Sequence, residues 1–209
     1  MEKRAVPLGA ARGEYEVNRS RFIAAAGFAP SPEAALAFVE EERRRYPDAS
    51  HHCWAYRMDE GIYRWSDDGE PGGTAGSQIL AMIAAAGLCR AVCVVTRYFG
   101  GVKLGTGGLA RAYSRAANAA ILSLETGFEV ELVRAEARCA YPMQRRVRDI
   151  LLSNGAKRLA MSCLEDVAFT FELEPEAAER LASLLPQLTH GAASWRELGR
   201  TAAVERVEE

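Results

Sequence analysis

Val94-Val95-Thr96-Arg97-Tyr98-Phe99-Gly100-Gly101-Val102-Lys103-Leu104-Gly105-Thr106-Gly107-Gly108-Leu109-Ala110-Arg111-Ala112-Tyr113-Ser114 passes from a strand, through a glycine-rich connection, into a helix. Residues 91–96 are wholly apolar and β-branched apart from Ala91, Cys93 and the closing Thr96, the pattern of a short central strand. Residues 100–108 read as a loop, because glycine weakens helices and accepts positive φ that other residues resist. Residues 109–124 predict a long helix, stopped before Gly127.

Working outward, residues 14–17 alternate polar and apolar and residues 21–28 form a second apolar stretch, suggesting one or two strands. Residues 1–12 read as a mobile arm. Ser31-Pro32-Glu33 is a helix start: serine caps, proline takes the first helical position, and glutamate meets the positive end of the dipole. Leu36 and Val39 share one face of that helix, and Pro47 ends it. Glu40-Glu41-Glu42 and Arg43-Arg44-Arg45 pair at i,i+3, the mark of a solvated helix face. Residues 51–58 and 62–66 predict strands joined at the turn signal Asp59-Glu60-Gly61. A polar loop, 66–76, leads into an apolar helix, 77–86, stopped by Gly87.

Beyond residue 130 the elements repeat a different rhythm. Strands are expected at 131–140, 157–164, 167–173 and 193–198, with helices at 142–153 and from Pro175 to about 188. The order βαββαβ is the ferredoxin-like pattern. The expected architecture is therefore α+β in two domains, a mixed α/β domain over 1–130 and a ferredoxin-like domain over 131–209.

The composition, 49% hydrophobic and 26% charged, supports real cores and excludes a disordered chain. The net charge is −2. Residues 1–130 balance 15 basic against 15 acidic residues, so any nucleic-acid surface must be a local patch. All but three of the 26 basic residues are arginine; the lysines are Lys3, Lys103 and Lys157. Five cysteines, without a CxxC pair or zinc-like spacing, read as reduced thiols of a cytoplasmic protein. The first residues lack an apolar signal core, and the longest apolar run is too short to span a membrane, so no membrane association is expected.

Three segments have the chemistry of sites. They are Ala49-Ser50-His51-His52-Cys53-Trp54-Ala55-Tyr56-Arg57, the acidic loop Ser66-Asp67-Asp68-Gly69-Glu70-Pro71-Gly72-Gly73-Thr74-Ala75-Gly76, and the glycine-rich segment quoted first. Together they resemble the signature blocks of the YigZ/IMPACT family, in that family's order and spacing, with Ser20-Arg21-Phe22-Ile23-Ala24 as a matching entry stretch. The match is specific over residues 20–115, and His52 sits in the motif's variable slot. The resemblance implies an N-terminal domain like elongation factor G domain IV and like a domain of one small-subunit ribosomal protein. It implies a C-terminal domain like the last domain of that factor. It also implies work with the translation apparatus. The eukaryotic branch competes for a ribosome-associated scaffold and restrains an eIF-two-alpha kinase. The length leaves no room for that branch's N-terminal RWD module, so its partnership is not expected here.

Read as chemistry, the glycine-rich segment offers backbone amides and a helix N-terminus to an anion. Arg97, Lys103 and Arg111 would supply exposed positive charge, Gly101, Gly105 and Gly107 backbone access, and Tyr98 and Phe99 stacking faces. The alternative is a tight crossover with Phe99 in the core. It is not a Walker A loop, since Lys103 is followed by Leu104. Asp67, Asp68 and Glu70 either hold Mg²⁺ or act as a base, or they cap the next helix and pair with arginine. His51 and Cys53 share a strand face, but no orienting group or oxyanion donor stands out, so a packed thiol and a bonded histidine is the reading. No catalytic residue, cofactor or metal is assigned. One concave surface is expected to hold His51, Asp68, Glu70, Arg97, Lys103 and Arg111. The expected function is a translation-associated regulator that binds RNA or the ribosome there. The alternatives are an enzyme on a small phosphorylated substrate and a non-catalytic protein adaptor.

Overall fold

The computed structural model describes residues 4–59 and 61–206. These form two compact units, one of residues 4–128 with 204–206, the other of residues 129–203. A boundary at 130 would have left the chain's end in the second unit; residues 204–206 group with the first instead. Elements β1 (Arg4–Pro7) and β2 (Ala10–Val17) occupy most of the stretch expected to be a mobile arm, whose residues 1–3 lie outside the described ones. Alternation explains β2: its residues are exposed and half-buried in turn, as on a sheet with one covered face.

The first unit is built on a sheet of five antiparallel strands in the order β2-β3-β6-β4-β5, where β3 is Ser20–Phe28, β4 His51–Asp59, β5 Ile62–Ser66 and β6 Ala91–Tyr98. Glu60, in the expected turn between β4 and β5, lies outside the described residues. The central place of β6 follows from its sequence, since a run of apolar residues as unbroken as 91–95 suits a strand covered on both faces. Its side chains alternate between two cores. Ala91, Cys93 and Val95 face α2 (Gly76–Ala85) and α3 (Gly105–Leu122). Val92 and Val94 face α1 (Pro32–Arg45), packing with Trp54, Tyr56, Ala35 and Val39. Helix α1 starts as its sequence requires: the Ser31 side chain accepts from the Ala34 amide (3.3 Å), with Pro32 in the first turn.

Helix α3 begins four residues earlier than its apolar pattern suggests, so Gly105, Thr106, Gly107 and Gly108 are helical. Tertiary packing overrides the low helix propensity of glycine here. The body of the helix buries Leu109, Ala112, Tyr113, Ala116, Ala117, Ala120 and Ile121 along one stripe.

In the second unit, β7 (Thr126–Cys139), β8 (Lys157–Cys163), β9 (Val167–Leu173) and β10 (Ala193–Arg206) neighbour one another in the order β10-β7-β9-β8. With α4 (Gln144–Ser153) and α5 (Pro175–Leu188), this is the ferredoxin-like arrangement. Val133, Ala135, Phe169 and Phe171 pack on Val147, Leu151, Leu181 and Leu185 of the two helices. The strand β10 is longer than the 193–198 expected, because Gly199 (φ +144°) and the weak alternation after it hid the continuation.

Strand β2 lies so close to α3 that a Cβ on Gly13 would stand 2.4 Å from the Ala120 nitrogen and 2.6 Å from the Ala119 carbonyl carbon. Both obstacles are backbone and cannot swing aside. Gly13→Ala is expected to cost about 2–3 kcal/mol of unfolding free energy, read as a lower urea midpoint at unchanged slope.

Candidate functional site

A cleft of about 410 Å³ opens on the first unit where the three segments converge. It is lined by His51 of β4, Glu70 and Pro71 of the acidic loop, Arg97 at the end of β6, and Phe99, Lys103, Leu104, Gly105, Thr106 and Leu109 of the glycine-rich segment. The connection after β6 is pinned by two serines. The Phe99 amide donates to Ser50 Oγ (3.2 Å) and the Gly100 amide to Ser20 Oγ (3.0 Å). Gly101 and Gly105 take φ of +83° and +69°, the left-handed region that glycine enters without strain.

Helix α3 opens onto this cleft. Its N-cap is Leu104, which offers no side-chain acceptor, and its first turn holds no acidic residue. An 18-residue helix thus presents uncapped amides and the positive end of its dipole to the cleft. Lys103 stands exposed beside them, with no ion-pair partner among the described residues.

The opposite wall is a buried polar network. Glu70 Oε1 accepts from Arg97 Nη1 (2.6 Å) and from the Tyr113 hydroxyl (2.8 Å). His51 Nε2 lies 3.9 Å from the same oxygen. The other His51 nitrogen, Nδ1, donates to the Asp68 carbonyl (2.8 Å), which leaves Nε2 as the ring nitrogen that faces Glu70. The Arg97 guanidinium lies 5.4 Å from the ring centroids of both Phe22 and Phe99. Its Nε is buried without a hydrogen-bond partner.

This geometry corrects several expectations. Arg97 is not an exposed cation: only 5% of its surface is accessible, and its charge is matched by Glu70. Removing it would leave Glu70 buried without its counter-charge and destabilise the unit. Tyr98 points to the other face of the sheet, as period-2 alternation demands, and donates to Asp48 (2.8 Å). Arg111 is exposed with its guanidinium near Gly107, and neither residue lines the cleft. Gly107 is helical and has no positive φ.

Asp67 and Asp68 are also absent from the lining, and their oxygens are occupied. Asp67 accepts from the amides of Gly73 (2.8 Å), Ala75 (3.0 Å) and Gly76 (2.8 Å), ordering the loop and the start of α2. Asp68, at φ +43°, accepts from the His52 amide (2.7 Å) and Arg43 (2.9 Å). Among the described residues no group of three His, Cys, Asp or Glu side chains is placed to hold a metal ion.

Cys53 is a structural thiol. It donates to the Asp67 carbonyl (3.0 Å) and lies 3.3 Å from the Tyr113 hydroxyl. Burial pushes both groups far above their ordinary pKa values. Tyr113, which the sequence reading left without a role, belongs to the site as the group that positions Glu70. Its signal was present: it follows Leu109 by four residues on the buried stripe of α3, and a buried tyrosine hydroxyl needs a partner.

Two outcomes follow. Glu70→Ala strands a buried guanidinium and is expected to cost about 3–5 kcal/mol; adding Arg97→Met should recover much of the loss, measured by urea unfolding of the single and double variants. In iodoacetamide at pH 8, Cys163 alone should react quickly. Cys53, Cys89, Cys93 and Cys139 are buried, and burial pushes Cys93 up to about 12, so they should react only after denaturation.

Comparison with known proteins fits this site into a known frame. A family model described as the Impact N-terminal domain matches residues 18–121, which contain the whole cleft. The chain is 40% identical over 145 residues to the IMPACT family member YigZ of Escherichia coli K12, covering 68% of this chain and 71% of that protein. It is 42% identical over 159 residues to an IMPACT family member of Thermus thermophilus, covering 76% and 87%. A crystal structure of a hypothetical protein, 30% identical, superposes with a TM-score of 0.66 over 100% of this chain and 99% of that one. With its signature segments folded around one cleft and these relatives matched over most of its length, the chain belongs to the IMPACT family, alongside YigZ.

Proposed function

We propose that this protein is a translation-associated regulator that acts in the cytoplasm by binding RNA, free or in the ribosome, at the cleft of its N-terminal unit. The observation that carries the reading is the uncapped N-terminus of α3, which enters the cleft beside the unpaired Lys103 and the half-exposed Phe99. Helix amides and a lysine suit a phosphate, and an accessible aromatic ring suits a base or ribose. Contacts of this kind position a nucleic-acid backbone and do not read its sequence.

Family membership supports the link to translation only through the resemblance of the signature segments. The acidic loop no longer opposes the reading: Asp67 and Asp68 are occupied by amides and Arg43, and Glu70 by Arg97 and Tyr113. Among the described residues no helix is long and apolar enough to cross a membrane.

Fluorescence anisotropy with single-stranded rRNA fragments tests the reading. Affinity should fall as salt rises, and Lys103→Ala should weaken binding roughly 3- to 10-fold and reduce the slope of log affinity against log salt by about 0.7. The variant should melt like the parent, since Lys103 is exposed. Salt-independent binding, or unchanged affinity in Lys103→Ala, would transfer the function to a protein-binding role.

A further inference from the structure

We infer that the cleft is a seat for a single terminal phosphate of an RNA chain, a phosphomonoester on one nucleotide, and not a track for a continuous backbone. The inference rests on the RNA reading above and narrows it.

Size is the first ground. A space of about 410 Å³ belongs to the range of small-ligand sites and holds roughly one nucleotide. A single strand lying across the unit would need cations in succession along its path. Among the residues that line the cleft there is one cation without an ion-pair partner, Lys103; Arg97 is neutralised by Glu70. Arg111 lies outside the lining, and Tyr98 is on the opposite face of the sheet.

Chemistry is the second ground. The positive groups of the lining sit together in sequence and place: Lys103, the uncapped start of α3 and Thr106 follow one another along the same wall of the cleft. Arg97, nineteen-twentieths buried, lines the same cleft and has a buried Nε with no hydrogen-bond partner. A monoester carries between one and a half and two negative charges near neutral pH, by about the value known for phosphorylated side chains. An internal diester carries one, and its chain must leave in two directions. The seat matches the more highly charged, chain-ending group.

The remaining walls suit the rest of that nucleotide. Phe99 is 50% exposed and already stacked on the Arg97 guanidinium, leaving an aromatic face for a base or sugar. Pro71, Leu104 and Leu109 supply apolar contact. On the far wall the Glu70 oxygen is already taken by Arg97 and Tyr113, and His51 Nε2 is the nitrogen left to face a ribose hydroxyl.

The test compares three labelled RNA tetranucleotides of one sequence, with a 5′-phosphate, a 3′-phosphate, or hydroxyls at both ends. Uridine monophosphate and inorganic phosphate serve as competitors. One phosphorylated end should bind at least tenfold tighter than the hydroxyl-ended chain, and uridine monophosphate should compete. Lys103→Ala and Thr106→Val should each reduce that preference at least threefold while keeping the parent's thermal melt. Equal affinity for all three oligonucleotides would overturn the terminal-phosphate seat and leave RNA binding standing. Competition between nucleotides without binding of any oligonucleotide would keep the phosphate seat and overturn the RNA reading. Failure of every oligonucleotide, longer RNA and nucleotide to bind would overturn both.

Discussion

Glu70 and Arg97 meet where water scarcely reaches, and the first unit is arranged around keeping them together. Each charge alone would cost several kcal/mol to bury. The pair persists because every neighbour contributes: Tyr113 donates to the same carboxylate oxygen, and Phe22 and Phe99 flank the guanidinium. The partners come from segments far apart in sequence, a loop before α2 and the end of β6. Closing that ion pair therefore fixes the loop against the central strand, and Tyr113 brings α3 to the same point. The loop can deliver Glu70 only because Asp67 ties it down through three amides. An acidic loop that looks like a metal site in one dimension is, in three, mostly a fastening.

Much of this was legible in the sequence, and the residues show why. The central place of β6 followed from apolar side chains at nearly every position. The start of α1 followed from Ser31 and Pro32, and the ferredoxin-like unit from the order of its elements. The convergence of three segments was anticipated from loop chemistry, and four of the six residues expected on one surface do line the cleft: His51, Glu70, Arg97 and Lys103. The failures have two kinds of cause. Tyr98 was misplaced although alternation with Arg97 and Phe99 already put it on the other face. Arg97 was misread as exposed because charge was given more weight than its position at the end of a wholly buried strand.

The second kind of cause lies outside local sequence. Nothing in Gly105-Thr106-Gly107-Gly108 favours a helix; the first turn of α3 forms because the rest of the helix is packed and extends backward into the cleft. That extension moves the functional feature. A flexible glycine loop would have wrapped an anion with mobile amides, at an entropic cost on each binding event. A preformed helix end offers the same amides already aimed. The glycines then serve less for flexibility than for access, since bare backbone at the helix entrance leaves room beside Lys103 and Thr106.

The balance of charge in the first unit now has a physical meaning. Fifteen acidic residues against fifteen basic ones over residues 1–130 meant that any nucleic-acid surface had to be a local patch. Several of those charges are paired with one another, Glu70 with Arg97 in the interior and Asp68 with Arg43, Glu42 with Arg12 and Glu14 with Arg21 nearer the surface. Charges paired in this way contribute little to the field beyond the surface, whereas the dipole of α3 and the unpaired Lys103 act in a recess with low-dielectric walls, where field lines are focused. Net charge thus measures the wrong quantity for this protein. A neutral unit can attract an anion to one point if its counter-charges are committed elsewhere, and it will then hold that anion singly, without the broad basic surface that draws in a polyanion along its length.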